Sequence, residues 1–179
     1  PIMAVVAIAV KLDSPGPVIY GHKRIGREGK EFECYKFRSM IMDNDQMLSE
    51  YLQQNHSAKE EWEKFAKLKT YDPRLTRVGR FIRRSSLDEL PQILNILKGE
   101  MSLVGPRPYL PREQCKMKGY SNIILVAKPG VTGLWQVNGR NETDFEARMQ
   151  MDTWYILNWS VWLDMLLLLK TVSVVAVSY

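Results

Sequence analysis

The sequence predicts a small, helix-rich α+β domain with one short β-hairpin and apolar helices at both ends. Three observations predict it. Two short, aromatic-containing strand patterns flank Gly26-Arg27-Glu28-Gly29, a turn signal between strands. Apolar residues recur at helical spacing along much of the remaining chain. Residues 2–10 and the tail from Trp159 to Val177 are strongly apolar. The 179 residues suit one domain and are enough to bury a core without disulfide or metal staples.

Taken in order, Ile2 to Val10 contain no polar side chain and end at Lys11. A helix over this stretch is roughly 15 Å long, about half a bilayer core. It is therefore the second half of a spanning or re-entrant segment, or a buried core helix. Ser14-Pro15-Gly16-Pro17 signals a turn. Val18-Ile19-Tyr20 reads as a strand, and Glu31 to Phe37 as its hairpin partner. Residues 43–69 are polar, with Met47, Leu48, Tyr51, Leu52, Trp62, Phe65 and Leu68 at helical spacings, predicting one or two surface helices. Thr76 to Arg84 reads as a short amphipathic helix capped by Thr76. A second helix is expected from Ser86 to Lys98, stopped by Gly99, with Pro91 placing its proper start in question. Residues 131–137 read as irregular and 142–158 as helical. The tail, interrupted by Asp164 and Lys170, fits an amphipathic interfacial helix with Trp159 and Trp162 at headgroup level, or a core helix.

Lys plus Arg total 25 against 20 for Asp plus Glu, a net charge of +5. That excess fits nucleic acid, an anionic membrane or a phosphorylated substrate without choosing among them. Cys34 and Cys115 lack metal-ligand spacing and suit a reducing compartment as small core residues.

Several constellations bear on chemistry. Arg74, Arg77, Arg80 and Arg83 recur every three residues, with Arg84 alongside. On a helix they form a slanting stripe that serves phosphates, lipid headgroups or solvent. In Ser85-Ser86-Leu87-Asp88-Glu89-Leu90-Pro91-Gln92, Ser86 and Glu89 stand in capping-box spacing. Asp88 and Glu89 thus lie at or just before a helix N-terminus, which favours ionised carboxylates. An ionised Asp can act as a nucleophile, and attack on a pyrophosphate calls for arginines and a magnesium ion to offset anion–anion repulsion. Arg107 is bracketed by Pro106 and Pro108, and Arg140 follows Asn138-Gly139. Lys36 and Arg38 bracket Phe37 and are expected on one strand face.

Read together, these segments resemble one family over nearly the whole chain. Lys36-Phe37-Arg38-Ser39-Met40 is followed by Asp72-Pro73-Arg74-Leu75-Thr76-Arg77-Val78-Gly79, then by Arg83 and Ser86-Leu87-Asp88-Glu89-Leu90-Pro91-Gln92. Gly99 to Pro108, Lys128-Pro129-Gly130-Val131-Thr132-Gly133, Gln136-Val137-Asn138-Gly139-Arg140 and Asp152-Thr153-Trp154-Tyr155 complete the series. The order is similar to that of the bacterial sugar transferases, monotopic polyprenyl-phosphate hexose-1-phosphate transferases.

The resemblance implies that Asp88 is the nucleophile, with Glu89 and Asp88 holding Mg2+. Arg83, Arg107 and Arg140 would bind phosphate, with Lys36 grouped beside them, and Asp152 would be functional in a role left unassigned. The implied reaction moves galactose- or glucose-1-phosphate from UDP-galactose or UDP-glucose to undecaprenyl phosphate through an aspartyl-phosphosugar, releasing UMP. It would be the first membrane step of polysaccharide or O-antigen assembly, on the cytoplasmic face of a bacterial inner membrane. Membrane lipids are then partners, nucleic acid is not, and a homo-oligomer is compatible with the pattern. Residues 1–12 would be the second half of a re-entrant membrane helix, with Pro1 at its central break. Residues 13–179 would form the catalytic domain with its C-terminal interfacial helix. Residues 44–70 are longer than in short members of the family. The rival readings are a basic nucleic-acid module, supported by the arginine stripe, and a non-catalytic membrane scaffold, in which Asp88 would not matter.

Overall fold

A computed structural model of the chain describes residues 1–65, 68, 71–139 and 144–177. The chain divides into two compact units, Pro1–Ile19 with Phe37–Asp88, and Tyr20–Lys36 with Glu89–Tyr179.

The first unit contains α1 (Ile2–Asp13), α2 (Asp45–Gln54), α3 (His56–Phe65) and α4 (Arg77–Arg84). Val6 and Val10, one turn apart, are the buried face of α1. Ile2, Val5, Ile8 and Leu12 stay exposed. α1 packs on α4, where Ile82 is buried and where a Cβ on Gly79 would run into the Ser39 carbonyl. The N-terminus of α4 is capped twice. Thr76 Oγ1 accepts from the Gly79 N–H at 2.9 Å, and Asp13 Oδ2 from the Val78 N–H at 2.9 Å. The C-terminal end of α1 is closed by Arg38. Its guanidinium donates to the carbonyls of Ser14 (2.6 Å), Pro15 (2.7 Å) and Val10 (3.4 Å), a cation at the negative end of a helix. The strand stops at Phe37, and Arg38, whose N–H still donates to Val18 O at 2.9 Å, is buried as a helix cap.

The polar stretch is two helices, α2 and α3, which pack on each other and meet at Asn55. In the stripe, Arg74 forms a 2.7 Å ion pair with Asp72 and lies 5.0 Å over Trp62, while Arg80 lies over Tyr71 at 5.9 Å. Arg77, Arg80 and Arg84 are exposed, whereas the Arg83 guanidinium is crowded by protein.

The second unit begins with the hairpin of β1 (Ile19–Ile25) and β2 (Glu31–Phe37), whose first and last residues fall to the other unit. β1 starts one residue later and runs further than the expected strand. Glu28 (φ 60°) and Gly29 (φ 75°) make the turn, and Gly26 N–H donates to Lys30 O at 2.8 Å. The expected helix from Ser86 to Lys98 is interrupted. Ser86 is left-handed (φ 56°), Leu87–Glu89 is a 3₁₀ turn, and only α5 (Gln92–Leu97) is α-helical. Pro91 lacks a donor and disfavours helical geometry at Leu90.

The buried carboxamide of Asn95 latches α5 to β2. Its Oδ1 accepts from Tyr35 N–H (3.0 Å), and its Nδ2 donates to Glu33 O and Glu100 Oε2, both at 2.7 Å. It pairs with the strand as a neighbouring peptide group would.

The stretch expected to be irregular contains β4 (Gly130–Thr132) and α7 (Leu134–Gly139). β4 lies parallel to β3 (Ser102–Val104), pairing Ser102 with Gly130 and Val104 with Thr132. Here the backbone crosses itself closely. A Cβ on Gly105 would strike Lys128 O and Gly130 N, one on Gly130 would strike Gly105 N, and one on Gly133 would strike Gly105 O.

After β3 the chain passes the short α6 (Ser121–Ile124) and later forms α8 (Phe145–Leu157) and α9 (Val161–Val177). Asp144 caps α8 by accepting from Ala147 N–H at 2.7 Å. Tyr109, Met117, Ile124 and Met149 form one core cluster, and Val104, Tyr155 and Leu167 another. α9 leaves Trp162, Met165, Leu169 and Val172 exposed, and Trp159 just before it is exposed too. Among the described residues no helix is long and apolar enough to cross a membrane.

Candidate active site

In the first unit, Asp88 sits in the Leu87–Glu89 turn and is 8 % exposed. The left-handed Ser86 breaks the path of α4 and turns the chain abruptly into that carboxylate. Ser85 Oγ satisfies the end of α4 by donating to Phe81 O at 2.9 Å. Arg83 Nε donates to Ser39 Oγ at 2.8 Å. Crowding of the Arg83 guanidinium by protein lowers its pKa, and the Asp88 and then Asp72 charges act in the opposite direction. Asp88 and Arg83 are thus electrostatic partners.

In the second unit, Lys36 Nζ donates to Glu89 Oε1 at 2.7 Å, with both side chains about a quarter to a third exposed (30 % and 26 %). The Asn95 latch, which fixes α5 against β2, holds strand residue Lys36 within reach of Glu89. Arg107 is presented by the loop after β3. Its guanidinium lies 3.6 Å from Glu113 and over the rings of Trp135 (5.7 Å) and Tyr109 (5.8 Å). Arg148 lies over Trp135 at 5.0 Å. Arg24 Nη1 donates to Pro108 O at 3.1 Å. Burial, and next the charge of Arg107, lowers the pKa of both Arg24 and Arg148. Burial, with the charges of Arg24, Lys36 and Arg112, pulls His22 down to about 4. His22 is therefore neutral at physiological pH. Its Nδ1, 3.3 Å from an Arg24 nitrogen that can only donate, accepts, so its proton sits on Nε2. Such crowding of guanidiniums favours a bound anion.

Asp152 is fully buried and accepts from Arg107 N–H (3.0 Å) and Tyr109 O–H (2.7 Å), both on Oδ2. Burial raises its pKa from the ordinary 3.8 to about 6, against the hydrogen bonds and the charges of Arg107 and Arg148. The raised value means that the folded protein holds a proton between pH 4 and 6 that the unfolded chain has released. This contribution to stability is full below pH 4 and is lost as pH rises through 6. Two pH units correspond to about 3 kcal/mol. Asp152→Asn is expected to remove that slope, measured as unfolding free energy in urea at pH 4.5 and 7.0 beside the unsubstituted protein.

Residues 1–178 match the family described as bacterial sugar transferase. The chain belongs to the bacterial sugar transferase family. It is 56 % identical over 160 residues to undecaprenyl-phosphate galactose phosphotransferase of Salmonella typhimurium, covering 89 % of this chain and 33 % of that protein. It is 43 % identical over 182 residues to UDP-glucose:undecaprenyl-phosphate glucose-1-phosphate transferase of Escherichia coli, covering 96 % and 35 %. It is 44 % identical over 178 residues to the exopolysaccharide production protein ExoY of Sinorhizobium fredii, covering 99 % and 78 %. The chain spans about a third of the length of the first two of these relatives.

Within this sugar transferase chain the structure pairs Lys36 with Glu89, couples Arg83 to Asp88, and ties Arg107 to Asp152. Arg140 lies outside the described residues. Sequence reasoning missed Tyr109, Arg24, Trp135 and Arg148. The i, i+4 spacing of Arg148 and Asp152 on one helix face was the available signal for Arg148. Among the described residues no three His, Cys, Asp or Glu side chains cluster as a metal site. Magnesium commonly takes one or two carboxylates with substrate phosphates and water. Of the two carboxylates expected to hold it, Asp88 in the first unit lies in the field of Arg83, and Glu89 in the second accepts from Lys36.

Proposed function

We propose that this chain transfers hexose-1-phosphate, galactose first and glucose second, from a UDP-sugar to undecaprenyl phosphate. The observation that carries the reading is a buried aspartate, set in a strained turn and coupled to an arginine, in a chain whose relatives bear the names of galactose and glucose phosphotransferases. An Asp88 oxygen attacks the phosphorus bearing the hexose. The bond from that phosphorus to the bridging oxygen breaks, and UMP leaves with the electron pair. A phosphate oxygen of undecaprenyl phosphate then attacks the same phosphorus, forming the diphosphate link and freeing the carboxylate. Arg83, Arg107 and Arg140 bind phosphate charge, and Lys36 steadies Glu89. Asp88 and Glu89 are the carboxylates that would hold Mg2+, which when bound supplies charge neutralisation at the diphosphate. The exposed apolar faces of α1 and α9 favour seating at the cytoplasmic face of a bacterial inner membrane, where polysaccharide or O-antigen assembly begins.

Incubation with single UDP-sugars, without lipid acceptor, followed by intact-mass measurement tests this. One hexose-phosphate adduct per chain is expected, and it identifies the sugar. Absence of any adduct under conditions where full turnover proceeds with acceptor refutes the covalent route. EDTA in excess is expected to stop turnover and magnesium to restore it. Unchanged turnover in EDTA removes the metal.

A further inference from the structure

We propose that Asp152 and Tyr109 are positioning residues that hold Arg107 for the diphosphate of the nucleotide sugar, an inference resting on the function proposed above. A carboxylate with no solvent exposure is costly unless its lone pairs are used. Asp152 uses Oδ2 for two donors, while its Oδ1 finds no partner among the described residues. An apolar side chain would serve stability alone as well. What the carboxylate adds is a tie to both ends of Arg107-Pro108-Tyr109, through the N–H of the first residue and the O–H of the third.

Other bonds complete the clamp. Arg24 donates to the Pro108 carbonyl at 3.1 Å, and Tyr109 O accepts from Ile25 N–H at 2.8 Å. The Tyr109 ring is buried in the core with Phe145 edge-on at 5.8 Å. Pro106 and Pro108 fix their own φ angles. The clamp restrains the backbone between them. The guanidinium lies over two flat rings, with the Glu113 carboxylate 3.6 Å away. Rings orient a guanidinium without neutralising it, and the Glu113 contact is longer than a hydrogen bond, so N–H donors are left for an incoming phosphate.

The test uses the full-length protein in detergent micelles, with three variants. Tyr109→Phe keeps the ring and its volume and removes only the hydroxyl. Asp152→Leu removes the acceptor, and Asp152→Asn keeps an acceptor oxygen. The expected result is a KM for the UDP-sugar raised about threefold by Tyr109→Phe and about tenfold or more by Asp152→Leu, with Asp152→Asn within about threefold of the unsubstituted enzyme. The dissociation constant for UMP should shift in parallel, while KM for undecaprenyl phosphate should not move. A merely structural role lowers the active fraction, and so kcat, with every KM unchanged. That pattern overturns the inference. Should Asp152→Leu fail to fold, the KM and UMP affinity of Tyr109→Phe decide alone. If the unsubstituted protein neither turns over nor binds UMP, the functional reading itself falls. If it does both and the variants match it in KM, only the clamp is refuted.

Discussion

Replacing Asp88 by Asn is expected to lower sugar-phosphate transfer by on the order of a thousandfold or more, because the amide can neither carry the charge nor form the acyl phosphate. The side chain is nearly isosteric, so the buried turn should survive. A circular dichroism spectrum and melting temperature close to those of the unsubstituted protein would show that. The same variant should give no hexose-phosphate adduct by intact mass. Full transfer by Asp88→Asn would end the nucleophile assignment. The non-catalytic scaffold also fails on this experiment, since it requires that Asp88→Asn change nothing measurable in an active protein.

The second large effect is expected at Asn95. Asn95→Leu leaves the Tyr35 N–H, the Glu33 carbonyl and the Glu100 carboxylate without their partner. These groups are partly buried, and leaving such groups unpaired costs about 1–3 kcal/mol each at most, so a loss of roughly 3 kcal/mol is expected. For a chain of this length that lowers the melting temperature by about 6–12 °C, measurable by scanning calorimetry. Activity should fall as well, because α5 carries the docking that keeps Lys36 beside Glu89. A stable Asn95→Leu variant would show that the latch is replaceable by packing.

Local periodicity made much of the fold legible. The buried pair Val6 and Val10 follows the helical repeat, β2 keeps the expected bounds Glu31 to Phe37, and Thr76 caps α4 as its hydroxyl suggested. What periodicity cannot show is structure made by distant partners. β3 and β4 are three residues each and exist through pairing across the chain, so neither carries a pattern of its own. The late start of α5, at Gln92 after Pro91, was legible in the proline, whereas the left-handed Ser86 was not. At the candidate site, residue types with obvious chemistry were visible: Asp88, Glu89, Arg83, Arg107 and Lys36. Their supports were not. Nothing in the sequence singled out Tyr109, and Asn95 read as a helix residue, because a hydrogen bond to a partner remote in the chain leaves no trace in spacing.

The main-chain crossing of Gly105, Gly130 and Gly133 has a consequence for engineering donor preference. Arg107 lies two residues beyond Gly105, so a methyl group forced into that crossing meets main chain, which cannot swing aside as a side chain can, and shifts the backbone that carries Arg107. Randomised libraries aimed at a different sugar should leave these three codons untouched.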